Sequence, residues 1–199
     1  MELLYGLEIF IKEYLSGSRL KHTISTAQFV KEHSHLFKID PNKAYIASIL
    51  HDIAKEVDRV EMVDLVKSFV SRNIIQITEL DFKFKYPSLL HGPAAAEIAY
   101  KRLNITDIDI LSAIVNHTTG GEGLSDLSKF LFVADFCEPQ RKLKESKEVR
   151  TIIVNEKKLI KAYNRTYFYL INHLLNKNAE ICMDSIRGFN ESINNLNNC

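Results

Sequence analysis

Apolar residues recur along the chain with a helical period, and the period is most regular over 41–53. There Ile46, Ile49, Leu50 and Ile53 fall at i, i+3, i+4 and i+7, one face of a helix. Asp40-Pro41 in front of it reads as an N-cap followed by proline at the first helical position. The N-terminal stretch MELLYGLEIFIKEYL sets Glu2, Glu8 and Glu13 among apolar residues and reads as an amphipathic helix. Thr106 and Asp109 resemble a capping box, with Asp in the place of Glu or Gln, opening a helix over 107–117 that carries Ile110, Ile114 and His117 on one face. Ser125 caps the next helix, SDLSKFLFVADF. Leu159, Tyr163, Tyr167, Leu170 and Leu174 stripe a last long helix.

Strand signals are weak. IIQI (74–77) and DFKFKY (81–86) have the composition of extended segments but no convincing partner, so 71–90 reads as a loop bordering a helix. GGEG (120–123) follows no strand and reads as a flexible connection, not a phosphate-cradling loop. The Asn-rich end, 194–198, is expected to fray. The expected fold class is all-α: one domain over 1–199, a bundle of roughly eight to ten helices.

Composition narrows the partners. The chain has 199 residues, 46% apolar and 26% charged, with a net charge of +1. Such a balance offers no broad electrostatic reason to bind nucleic acid or an anionic membrane. No apolar run reaches the length of a membrane span. The N-terminus has no basic region and no small-residue cleavage site, so no signal peptide is expected. Cys137, Cys182 and Cys199 are odd in number and lack C-x-x-C spacing. That argues against a disulfide framework or a zinc ribbon and fits a reducing cytoplasm.

The candidate chemistry lies in four of the seven histidines and two aspartates. His22 opens HTISTAQFV, His51-Asp52 closes the 41–53 helix, His91 precedes a helix starting at Pro93, and His117 closes the 107–117 helix. Asp135 lies four residues after Leu131, on an apolar stripe. A carboxylate there is costly unless it is paired in a buried salt bridge or bound to a cation. Mixed imidazole and carboxylate donors suit Fe, Mn, Co or Zn better than Ca or Mg. Taken singly, each has a plain reading: His117 sits at the negative end of a helix dipole, and His22 can be a cap-region residue. His33, His35 and His173 read as solvated helix residues. Gly92 would leave room for a phosphate near the backbone, Pro93 would turn a positive helix end toward it, and Ala94, Ala95 and Ala96 would allow close helix packing.

The segments RLKHT (19–23), LHDIAKE (50–56), LLHGPAAAEIA (89–99), AIVNHTTG (113–120) and FLFVADFCEPQR (130–141) together resemble the YqeK family of HD-superfamily metal-dependent phosphohydrolases. The likeness runs from about residue 5 to about residue 190. It implies an all-α HD-domain helical bundle, with a core over about 15–140 and C-terminal helices over about 145–190 completing a nucleotide pocket. It implies symmetrical hydrolysis of diadenosine tetraphosphate to two ADP by a metal-activated water. The cofactor would be iron, one ion or two, with Mn, Co or Zn as substitutes. Neither nucleic acid nor membrane would be a partner, and a homodimer is allowed.

The resemblance also assigns residues. His22, His51, Asp52 and Asp135 match the metal ligands. His91 and His117 match the diphosphate site, where related enzymes hold a second metal. Lys55, Thr118 and Arg141 match phosphate- or nucleotide-contacting positions, and Asp135 also borders the nucleotide. The catalytic set is Asp52, Lys55, His91 and His117; Lys55, three residues past Asp52, falls on the same side of a continuing helix. Arg19 matches an arginine with no assigned role. A GRPIHPDT-like segment of the family corresponds here to NAEICMDS (178–185), with Cys182 for the usual histidine and Met183 for the usual proline. Asn178, Ala179, Glu180, Ile181, Cys182 and Met183 are thus expected at the nucleotide pocket. The alternatives are a nucleotidase or guanosine-alarmone hydrolase, a non-catalytic metal and nucleotide sensor, or a purely structural bundle that binds no metal.

Overall fold

The structure, a computed structural model, describes residues 2–197. Eleven α-helices follow one another among them: α1 (Glu2–Phe10), α2 (Gly17–His33), α3 (Pro41–Leu50), α4 (Arg59–Ser71), α5 (Leu80–Lys85), α6 (His91–Leu103), α7 (Ile108–Asn116), α8 (Asp126–Cys137), α9 (Lys144–Thr151), α10 (Leu159–Asn176) and α11 (Met183–Asn197). There is no strand among the described residues. The count exceeds the eight to ten expected from periodicity, because six-residue α5 is too short to show a period. DFKFKY, which has strand composition, forms most of that helix. No helix among the described residues is long and apolar enough to cross a membrane.

α3 is the hub. Every residue from Ala44 to Leu50 is buried, so the helix is covered on all sides. It packs against α1, α2, α6, α7 and α8. α8 is nearly as enclosed, buried from Leu127 to Ala134, and α10 and α11 complete the bundle beyond it. In α6, Ala94, Ala95, Ala96 and Ala99 are fully buried, and their small side chains let α4 and α7 pack close on either side.

Helix starts follow cap chemistry. Asp40 accepts hydrogen bonds from the backbone N–H groups of Asn42 and Lys43, and Ser125 accepts one from Ser128. At α7 the cap is Asp107 and not Thr106: its carboxylate accepts from the N–H groups of Asp109 and Ile110. Asp109 instead receives the Ser125 hydroxyl at 2.5 Å, which ties the start of α7 to the start of α8.

Three connections differ from the sequence reading. α3 ends at Leu50, and 51–56 runs on as tight turns, buried from His51 to Ala54. The 120–123 segment is pinned: Gly120 and Gly121 are buried, and the Tyr167 hydroxyl accepts the Gly121 N–H at 2.8 Å while Tyr163 donates to its carbonyl at 2.9 Å. Gly120 has φ +63°, a left-handed conformation that glycine adopts without strain. The Asn-rich end is helical through Asn197, and Asn198 and Cys199 lie outside the described residues.

Candidate metal centre

Five segments deliver the site. The C-terminus of α3 presents His51 and Asp52, and the C-terminus of α7 presents His117 and Thr118. α6 begins at His91 itself, two residues before Pro93. His22 projects from the second turn of α2 and does not open a helix. Asp135 comes from α8. Two helix C-termini aimed at one place add partial negative charge there, which favours a cation.

The groups converge. His22 Nε2 lies 2.8 Å from Asp135 Oδ1. His51 Nε2 is 3.7 Å from Asp135 Oδ1 and 3.7 Å from Asp52 Oδ2. On the other side of Asp52, His91 Nε2 is 3.2 Å from Oδ1 and His117 Nε2 is 3.4 Å from it. The two Nε2 atoms of His91 and His117 are 2.9 Å apart, with the Thr118 hydroxyl 3.3 Å from one and 3.2 Å from the other.

Tautomers follow from what lies behind each ring. His51, His91 and His117 place Nδ1 on the backbone carbonyls of Ser48, Ser88 and Ile114, at 2.6, 2.7 and 2.7 Å. His22 places Nδ1 3.1 Å from the Glu138 carboxylate. These partners only accept, so each Nδ1 carries a proton and each Nε2 points into the site. Burial lowers the His22 pKa, but Asp135 and Glu138 outweigh it and raise it to about 9, so without an ion its Nε2 also donates, to Asp135. His51 Nε2 is fully buried and has no hydrogen-bond partner. A buried donor atom left without a partner costs stability unless something fills its position. His22, His51 and Asp135 offer ligand atoms within 4.8 Å of one another, as do His51, Asp52 and His117. The residues fit a divalent ion of the Fe, Mn, Co or Zn type.

Charge in the site is balanced from its edge. Lys55 donates to Asp52 Oδ1 at 3.1 Å and to His91 Nε2 at 3.0 Å. No continuing helix brings it there; the Lys55 N–H closes a tight turn on the Asp52 carbonyl at 2.8 Å. Arg141 reaches the Asp135 carbonyl at 3.2 Å and its Oδ1 at 3.4 Å. Burial raises the carboxyl pKa of Asp52, but His51, His117 and His91 outweigh it and hold the group well below the usual range. Asp135 is likewise held well below, its burial outweighed by His22 and His51. Burial drives the His91 imidazole down to about 4, so it is neutral at pH 7.

Sequence reasoning gave Glu138 no role. It is buried, and beyond His22 it accepts hydrogen bonds from the Ser25 hydroxyl and the Gln140 N–H. Arg150 holds the same turn through the carbonyls of Cys137, Glu138 and Arg141. The available signal was its spacing, three residues after Asp135.

One further expectation is corrected, and one segment packs beside the site rather than into its two cavities. Gly92 does not leave space for phosphate: a Cβ there would stand 2.8 Å from the Val115 carbonyl oxygen, so the glycine serves the α6–α7 contact. Asn178, Ala179, Glu180, Ile181, Cys182 and Met183 line neither of the two cavities that open on the site. That stretch packs toward α5 instead, with Glu180 on Lys85 and the Cys182 thiol donating to Glu79 at 2.9 Å. Its tie to the site is one step removed, through the Ser185 hydroxyl donating to the Thr119 carbonyl. His33 and His173 stay outside the cluster, and His35 is exposed.

An all-helical bundle that turns histidine lone pairs and two carboxylates onto one buried point is the scaffold of a metal-dependent hydrolase. The chain matches the HD domain family over residues 19–154 and belongs to that family. It is 33% identical to the symmetrical bis(5′-nucleosyl)-tetraphosphatase of Halalkalibacterium halodurans, over 91% of this chain and 92% of that one. It is 31% identical to the protein of the same name from Bacillus subtilis, over 90% and 92%. Among solved structures, one from Clostridium acetobutylicum, described as a predicted HD superfamily hydrolase involved in NAD metabolism, superposes with a TM-score of 0.84. It is 26% identical and covers 96% of each chain.

Proposed function

We propose that the protein hydrolyses dinucleoside tetraphosphates symmetrically, releasing two nucleoside diphosphates, with diadenosine tetraphosphate giving two ADP. The observation that carries this reading is the unpartnered Nε2 of His51, facing two carboxylates and flanked by Lys55 and Arg141. Relatives that carry this activity in their names match nearly the full length of the chain.

His22, His51, Asp52 and Asp135 would hold the ion, with iron as the proposed metal and Mn, Co or Zn as substitutes. A divalent ion there lowers the pKa of water and draws charge from a phosphoryl oxygen. The chain does the rest. Three carbonyls and Glu138 fix the histidine tautomers. Lys55 and Arg141 offset the charge of the polyphosphate. Thr118 offers a hydroxyl beside His91 and His117, whose rings would border the same phosphates. Cys137 and Cys182 are free thiols, in keeping with a cytoplasmic protein.

Chromatography of the products tests the reading. Protein loaded with Fe(II) or Mn(II) under anaerobic conditions should convert each diadenosine tetraphosphate to two ADP. ATP plus AMP, released phosphate, or intact substrate would each refute it.

A further inference from the structure

The metal centre opens on two cavities of different character. One, of about 270 Å³, runs from His117 and Thr118 to a wall of Phe132, Phe136, Leu143 and Leu170. The other, of about 420 Å³, runs from His22 and Asp52 past Ser18, Arg19 and Gln140, and its lining has no apolar side chain. Lys55 and Arg141 line both. A tetraphosphate lying across the ion would therefore keep its charged centre on these two shared cations and send one nucleoside to each side.

The two ends differ in what they can recognise. The first cavity is close to the lower limit of small-molecule pockets, roughly 300 Å³, and its apolar walls suit a base and ribose. Phe136 is braced there by Tyr169, whose ring lies parallel within 6° at 6.0 Å. In the second cavity Arg19 has an exposed guanidinium. Its nearest acid is Glu56 at 3.6 Å, and it makes no protein hydrogen bond among the described residues. The Ser16 hydroxyl holds Glu56 at 2.9 Å, so the acid has a partner of its own. Among the described residues Arg19 is thus tied to the protein only by this exposed ion pair through Nε, and a guanidinium fork on a polar cleft is suited to a phosphate oxygen.

We propose that the two cavities divide the substrate: the Phe136 cavity takes the nucleoside of one half, and the polar cleft takes the other diphosphate half through Arg19. This rests on the tetraphosphatase reading above. It makes Arg19 a specificity-determining residue for the full-length substrate, with no part in holding a single nucleoside diphosphate.

Steady-state kinetics and ADP binding on the metal-loaded full chain separate the two cavities. Phe136→Ala should weaken ADP on the order of tenfold and raise KM for diadenosine tetraphosphate. Arg19→Ala should leave ADP affinity within about twofold while lowering kcat/KM for the tetraphosphate on the order of tenfold, and Arg19→Lys should recover part of the loss. Unchanged melting temperatures show that the variants fold. Equal loss of ADP affinity in both variants, or wild-type tetraphosphate kinetics in Arg19→Ala, would overturn the division. Wild-type protein that leaves the tetraphosphate intact refutes the reaction and the Arg19 assignment together. The Phe136 dependence of ADP affinity then decides the nucleoside cavity on its own.

Discussion

Glu138 differs from the acceptors behind the other site histidines. His51, His91 and His117 lean on neutral carbonyls, whereas His22 leans on a carboxylate. An anion behind an imidazole makes the opposite nitrogen a stronger donor to a metal. Glu138→Gln keeps an acceptor for Nδ1 and removes the charge. Its metal affinity should fall about 10- to 100-fold with the helical spectrum unchanged, measured by competition with a chromogenic chelator. Wild-type affinity would reduce Glu138 to a turn former. The second acidic cluster, Glu79, Cys182 and Asp184, has a different job. The buried Lys83 ammonium already sits 2.6 Å from Asp184 and 2.9 Å from the Thr78 carbonyl, so a cation is built in and the group clamps α11 to α5. At this scale the proposed metal ligands were legible as candidates, because His51-Asp52 and a carboxylate on an apolar stripe are expensive unless used. Glu138 was not, since an acid after a helix has many cheap solvent-facing fates and only the fold turns it inward.

Helix ends and close approaches decide how well the residues meet. α6 and α7 touch at Gly92, and that contact sets the 2.9 Å between His91 and His117. Gly92→Ala would press a methyl group onto the carbonyl oxygens of Ile114 and Val115, at a cost of about 1–3 kcal/mol. It should also move His91, so that kcat at 25 °C drops on the order of tenfold while the protein remains folded. Full activity would show that the pair tolerates displacement. On the opposite side of α6, Arg72 of the α4 C-cap grips Glu97 with two hydrogen bonds of 2.7 Å, and Ser68 adds a third. Burial raises the Glu97 pKa, but Arg72 and Ser68 outweigh it and lower the pKa below 4.5. A folded pKa below the unfolded one means stability that is present above about 4.5 and lost as pH falls through the folded value. Glu97→Gln should therefore cost about 2 kcal/mol at pH 7, and its melting temperature should approach that of wild type in acid. A constant gap across the pH series would contradict the clamp. Periodicity located the long helices, and cap chemistry placed Asp40 and Ser125. It chose Thr106 over Asp107 because both are good caps one residue apart, and it read DFKFKY by composition because a helix of one and a half turns leaves no period to count.

Across the whole molecule the site works as a cross-link. Its proposed ligands come from α2, α8 and the end of α3, and His22 and Asp135 are 113 residues apart in the chain. The order of histidines and aspartates was readable from the start, yet no periodicity could say that they meet; convergence is a property of α3 sitting at the hub with α2, α7 and α8 around it. The same arrangement gathers two carboxylates and several lone pairs at one buried point, with Lys55 and Arg141 as edge cations. Without an ion this patch leaves His51 Nε2 buried and unpartnered. Binding of a divalent ion to the folded state alone must then stabilise the bundle, by about 2.7 kcal/mol at a hundred times Kd. For a chain of this size that is a rise in melting temperature of about 5–10 °C. Thermal scans of metal-free protein titrated with Mn(II), Co(II), Zn(II) or anaerobic Fe(II) should show it. Mg(II) should give a smaller shift, because imidazole nitrogens suit it poorly. Asp135→Ala and Asp52→Ala should fold, lose the shift and lose hydrolysis together. A melting temperature that no transition metal moves would mean that the buried His–Asp cluster is a structural network, and the proposed chemistry would lose its foundation.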